Sequence, residues 1–135
     1  MGTLFKKIDH IGIAVSDLKS AIATYELMGF KASPVEEVKD MQVRVCFLPV
    51  GESRFELLEP LSDDSVVSRF LKKRGEGIHH ICLGVEDIEM TIRHLKKHRF
   101  SLVYEKPKRG AGNTWVTFVH PKSTHGILLE LSQKI

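Results

Sequence analysis

Ile8-Asp-His-Ile-Gly-Ile-Ala-Val-Ser-Asp17 returns as Ile78-His-His-Ile-Cys-Leu-Gly-Val-Glu-Asp87, seventy positions further along the chain. At that offset Ile8, His10, Ile11, Val15, Asp17, Ile22 and Phe30 meet Ile78, His80, Ile81, Val85, Asp87, Ile92 and Phe100. Two copies of so long a unit indicate a duplicated half-domain, because a solenoid needs three or more stacked repeats. Each copy opens with a short apolar run rich in β-branched residues, the pattern of a strand. Each run stops at an Asp placed to cap a helix. Asp17 precedes Leu18, Ile22 and Tyr25 at helical spacing, and Asp87 precedes Ile88, Ile92 and Leu95. Gly29 is placed to end the first helix.

Three strand-like stretches follow each helix: residues 30–35, 41–50 and 53–59 in the first half, and 101–106, 114–120 and 127–132 in the second. The expected fold is therefore α+β, two tandem βαβββ modules at about 6–61 and 77–135. A connector at about 62–76 carries a short helix, with Val66, Val67, Phe70 and Leu71 inward and Gly75 and Gly77 breaking it. Neither module can bury its sheet alone, so the two are expected to pack as one domain, with curved sheets enclosing a central metal-binding cleft.

Length, 42% hydrophobic and 27% charged residues fit one globular domain. A formal charge of +3, with no basic patch interleaved with aromatics, argues against nucleic acid but suits an anionic small molecule. Cys46 and Cys82 lie in apolar runs without Cys-x-x-Cys spacing, as buried reduced thiols do. The N-terminus lacks the apolar run of a secretory signal, and Lys6 stands where a myristoylation motif wants Ser or Thr. No stretch approaches the ~18 apolar residues of a membrane span. The expectation is a cytoplasmic protein without a membrane partner.

His10 and His80 sit among apolar residues on the first strand of each module. Aligning Glu56-Leu-Leu-Glu59 with Glu130-Leu-Ser-Gln133 gives each module a carboxylate on its last strand. The offset there is 74, which calls for a four-residue insertion in the second half, expected around residues 108–112. One His on an apolar strand is usually a satisfied core residue. A repeated His with a repeated buried carboxylate is different, since a buried carboxylate needs a counter-charge and a divalent metal supplies it. Of the adjacent pair, His80 aligns with His10. Neighbours on a strand face opposite ways, which leaves His79 for the pocket or outer shell.

The chain resembles the vicinal oxygen chelate (glyoxalase/bleomycin resistance/dioxygenase) superfamily, and within it the methylmalonyl-CoA epimerase branch. The resemblance rests on Asp9-His-Ile-Gly-Ile-Ala-Val15, Glu56-Leu-Leu-Glu-Pro60, Gly75-Glu-Gly-Ile-His-His-Ile81, Pro107-Lys-Arg-Gly-Ala-Gly112 and Phe118-Val-His-Pro-Lys122 running to Gly126-Ile-Leu-Leu-Glu-Leu131. It implies ligands at His10, His80 and Glu130, with Glu56 at a fourth place where some epimerases carry Gln. One divalent ion is implied (Co, Ni, Zn, Mn or Mg), as is a homodimer. The implied reaction is metal-dependent epimerisation of methylmalonyl-CoA at the α-carbon through a metal-stabilised enolate, with Glu130 as a catalytic acid/base.

A partner on the opposite face is expected from the 36–45 region, where Glu36, Glu37 and a water held by Gln42 are the alternatives. Substrate contacts are expected from Gln42, His79, Lys108, Arg109 and Lys122, with Gly110 allowing close backbone approach to an anion. Two other readings compete. One is lactoylglutathione lyase, which Glu56 favours slightly; the other is a metal-free small-molecule binding or resistance protein.

Overall fold

The structure, a computed structural model, describes residues 3–135. The Met1-Gly2 opening, with its bearing on acylation, lies outside them. Along the chain come β1 (Phe5–Ala14), α1 (Leu18–Met28), β2 (Glu36–Val38), β3 (Val43–Val50), β4 (Ser53–Pro60) and α2 (Val66–Arg74). Then follow β5 (Gly77–Val85), α3 (Ile88–Lys97), β6 (Lys108–Gly110), β7 (Thr114–Val119) and β8 (Leu129–Lys134). That is βαβββ twice, joined through α2, and the α+β class expected from the repeat holds.

Within the first module the hydrogen-bonding order is β2-β3-β4-β1, and within the second β5-β8-β7-β6. The first and last strands of each module run parallel, β1 with β4 and β5 with β8, while β2 with β3, β3 with β4, β6 with β7 and β7 with β8 are antiparallel. A parallel pair cannot be closed by a tight turn and needs a long crossover. Here the helix and the two intervening strands supply it.

The chain divides into two compact units, His10–His79 and the residues up to Asp9 with His80–Ile135. In the first, Val15, Leu18, Cys46, Leu48 and Leu57 form the core, flanked by Ile22, Tyr25, Phe30 and Phe55. In the second, Val85, Ile88, Ile92, Leu95, Val119 and Leu131 do so, flanked by Leu83, Phe100 and Trp115. Each core is one apolar helix stripe laid on one sheet face, the reason the 3.6-residue and two-residue periods were legible together.

The helix starts repeat in detail. Asp17 accepts a hydrogen bond from Ser20 N at 3.2 Å, and Asp87 from Met90 N at 3.0 Å. The last strand adds a second cap to each. Glu59 Oε2 accepts from Leu18 N at 2.7 Å, and Gln133 Oε1 from Ile88 N at 2.8 Å. Both N–H groups are helix-start donors with no partner inside the helix. Gln133→Ala is expected to lower unfolding free energy by about 1 kcal/mol, the usual cost of losing a cap. Urea denaturation checks it, and an unchanged midpoint would remove the capping role.

Several expectations are corrected. Residues 30–35 form no strand. Ser33 instead ties this segment to β3, its N donating to Phe47 O and its Oγ accepting from Phe47 N, both at 2.9 Å. Pro34 then lacks the N–H a ladder would need. Residues 101–106 give one isolated bridge, Leu102 to Val119, before Pro107 and the short β6. In α2 the cap is Ser65, with Val67 and Ser68 buried, while Val66 faces outward at 53% exposure. The insertion is also mostly elsewhere. From Phe47 to Glu56 is nine positions and from Phe118 to Glu130 is twelve, so three of the four extra residues lie between β7 and β8, around the 3-10 turn Pro121–Ser123.

Candidate metal centre

In module one, β4 sets Glu56 opposite Phe47 on β3 and Gly12 on β1. In module two, β8 sets Glu130 opposite Phe118 on β7 and Cys82 on β5. The histidines lie two residues before those strand partners and hence on the same face. His10 Nε2 stands 3.2 Å from Glu56 Oε1, and His80 Nε2 stands 3.0 Å from Glu130 Oε1. Each imidazole also meets a phenylalanine edge-on, His10 with Phe47 at 5.7 Å and His80 with Phe118 at 5.8 Å. Glutamate and aromatic ring together fix each imidazole's position, and packing of this kind holds a ligand in one rotamer.

All four residues are buried, from 4% exposed for His10 and His80 to 8% for Glu130. One ligand atom from each of His10, Glu56, His80 and Glu130 lies within 4.8 Å of the other three. Two buried carboxylates this close repel one another strongly at low dielectric, and a cation removes that cost. Two imidazole nitrogens with two carboxylate oxygens form a borderline donor set suited to first-row divalent ions. The residues present therefore fit one divalent metal. Cys82 is a buried thiol, and its Sγ lies with an Asp9 oxygen and a His10 nitrogen in a second group within 4.8 Å. Cys46 is free and buried, and burial pushes its thiol pKa up.

The other expected site residues scatter. His79 points away from His80 and stacks edge-on against Phe70 of α2, 5.0 Å between centroids. Gln42 is exposed, and its amide Nε2 donates to Lys39 O at 2.9 Å. Glu36 and Glu37 are exposed on β2, and Glu37 pairs with Arg44 at 3.2 Å. On β3 the residues sharing Phe47's face, Val43 and Val45, are buried and apolar. Lys108, Arg109 and Lys122 are exposed cations; Lys108 lies over the Tyr104 ring at 4.3 Å and Arg109 over Trp115 at 5.1 Å. Gly110 has a reason unrelated to ligands, since a Cβ there would meet Val116 Cγ1 at 2.8 Å and Thr114 Oγ1 at 3.1 Å.

Sequence reasoning missed Phe47 and Phe118. Their offset is 71, between the 70 of the histidines and the 74 of the glutamates, so no single alignment pairs all three. It also missed Arg54, whose guanidinium carbon lies 3.8 Å from the Phe47 ring centroid. Among the described residues no helix is long and apolar enough to cross a membrane.

Residues 9–118 match the glyoxalase/bleomycin resistance protein/dioxygenase superfamily, and the chain belongs to it. Within that superfamily it is methylmalonyl-CoA epimerase-like. It is 38% identical over 129 residues to the mitochondrial methylmalonyl-CoA epimerase of Homo sapiens, covering 94% of this chain and 73% of that protein. It is 36% identical over 128 residues to the uncharacterized protein YqjC of Bacillus subtilis, covering 94% and 91%. A variant of the Streptomyces coelicolor methylmalonyl-CoA epimerase, solved in complex with 2-nitronate-propionyl-CoA, superposes with a TM-score of 0.93 at 36% identity, covering 96% and 95%.

Proposed function

We propose that this protein is a methylmalonyl-CoA epimerase, acting at the α-carbon next to the thioester, with His10, Glu56, His80 and Glu130 holding one divalent ion. The observation that carries the reading is the buried two-imidazole, two-carboxylate cluster in a chain similar over nearly its full length to such epimerases. When bound, the cation would act as a Lewis acid toward substrate oxygens and lower the energy of developing enolate charge.

Glu130 is the proton-transfer group. Its carboxylate takes the α-hydrogen as a proton, the C–H electron pair moves into the thioester carbonyl, and protonation from the other side inverts the centre. Phe47's face of β3 carries Val43 and Val45 rather than a carboxylate, so in this reading water supplies the second proton and Glu130 gives its own back to solvent. Phe47 and Phe118 keep water from the imidazoles they abut. Lys108, Arg109 and Lys122 are the cations we assign to the phosphates of the CoA tail.

The test is deuterium wash-in at the α-carbon of methylmalonyl-CoA in D₂O with the metal-loaded protein. The expected result is metal-dependent exchange, with solvent deuterium in the inverted product. Turnover of a glutathione hemithioacetal without exchange would replace this reading by the lyase.

A further inference from the structure

We infer that the outer face of α3 carries a second metal site, a two-imidazole chelate formed by His94 and His98 that takes late first-row divalent ions. It shares no residue with the buried cluster and does not depend on the acyl-CoA reading. The argument begins with spacing. His94-Leu-Lys-Lys-His98 puts the two histidines four residues apart at the end of α3. Four residues advance a helix by about 6 Å and little more than one turn, so the two side chains leave the same face, one above the other. The buried stripe of this helix is Ile88, Thr91, Ile92 and Leu95, and both histidines are exposed.

The rings already stand together, 4.6 Å between centroids with their planes inclined at 55°. Two imidazoles bound side by side on one ion, each with a nitrogen about 2.0–2.1 Å from it, have ring centres roughly 4.5–5.5 Å apart. The observed spacing lies in that range, so rotation of exposed side chains brings a nitrogen of each ring onto one ion while the backbone stays still. A chelate exceeds one imidazole in affinity because its second bond forms within the same molecule. Charge decides which ion. Arg93, Lys96, Lys97 and Arg99 are exposed neighbours of the pair, and Lys96 is matched by Glu105 at 2.6 Å. Hard ions such as Mg²⁺ and Mn²⁺ want oxygen donors, which two imidazoles do not offer, whereas Ni²⁺, Cu²⁺ and Zn²⁺ suit nitrogen. The negative end of the helix dipole favours a cation at the last turn, where His94 lies and which His98 caps. An ion there would tie that turn together just before the left-handed Arg99, φ 68°.

Titration calorimetry of chelator-stripped protein with Ni²⁺ and with Mn²⁺ tests this. Wild type is expected to bind a Ni²⁺ equivalent that either His94→Ala or His98→Ala weakens about a hundredfold, the scale of a lost second attachment. Mn²⁺ should show no equivalent that responds to these substitutions. Both positions are exposed and alanine is the best helix former, so an unchanged melting temperature will separate a lost ligand from a lost fold. Ni²⁺ binding that neither substitution alters would put the ion elsewhere and overturn the assignment. Weakening by only one of the two would mean a single imidazole instead of a chelate and overturn it too. Mn²⁺ bound as tightly as Ni²⁺, and lost in the same variants, would overturn the ion class. If the variants reduce two Ni²⁺ equivalents to one, both metal sites stand. If they remove the sole equivalent bound, this site stands and the buried centre falls.

Discussion

Glu130→Gln is expected to cut deuterium wash-in at the α-carbon by at least about 10³-fold, within the range that positioned acid–base groups contribute. The amide keeps an oxygen where the carboxylate oxygen was, 3.0 Å from His80 Nε2, so the strand, the burial and one donor atom all survive. What disappears is the ability to accept a proton. Glu56→Gln is the internal control, because Glu56 holds the matching place beside His10 in the other module. It is assigned only as a ligand and should cost much less. Two equal losses would mean that the carboxylates act only through the metal and that proton transfer belongs elsewhere. Full exchange in Glu130→Gln would remove it from the chemistry altogether. Kinetics alone can confuse lost metal with lost chemistry, so bound metal should be measured by atomic absorption in each variant.

The repeat made half of this legible. From residue 8 to 30 and from 78 to 100 the copies run without a gap, so strand, cap, helix and histidine could be read by position. Beyond residue 100 the copies drift. The glutamates were recovered only by allowing a different offset, and the phenylalanines behind the imidazoles fell between the two. The missing strands have a different cause. Residues 30–35 look like a strand because they are apolar, yet their backbone bonds go through Ser33 and stop at Pro34, and hydrophobic pattern says nothing about where a ladder ends. The second module repeats this before Pro107.

Charge was the least readable property. Arg54 on a half-buried strand looks like an ordinary solvated cation, and only its position on the Phe47 ring singles it out. Lys108 and Arg109 are neighbours in the chain, but each lies over its own aromatic ring. Arg44 is a further cation of the first module. Hydrogen bonds to Glu37 and then Glu59 raise its pKa further, and Glu59 also caps α1, so this cation belongs to the scaffold.

Divalent metal should raise the melting temperature of the stripped protein by about 12–16 °C when supplied at a thousand times its dissociation constant. A ligand that binds only the folded state adds about 4 kcal/mol at that excess, and a chain of this length gains about 3–4 °C per kcal/mol. The physical source is the pair of buried carboxylates. With their oxygens in the same 4.8 Å group, Glu56 and Glu130 oppose each other in the folded protein and not in the unfolded chain. A cation there converts a destabilising contact into a cross-link among four side chains that are far apart in sequence. Replacing His80 by Ala should abolish most of the thermal shift, because it deletes one donor and frees Glu130 from its 3.0 Å partner. Calorimetry on protein stripped with a chelator and titrated with Mn²⁺, Co²⁺, Ni²⁺ or Zn²⁺ reads the effect without any assumption about substrate. If none of these ions moves the melting temperature, and wild type and the His80→Ala variant behave alike, the four residues are a packed polar core. The metal-free binding protein would then be the better description of this chain.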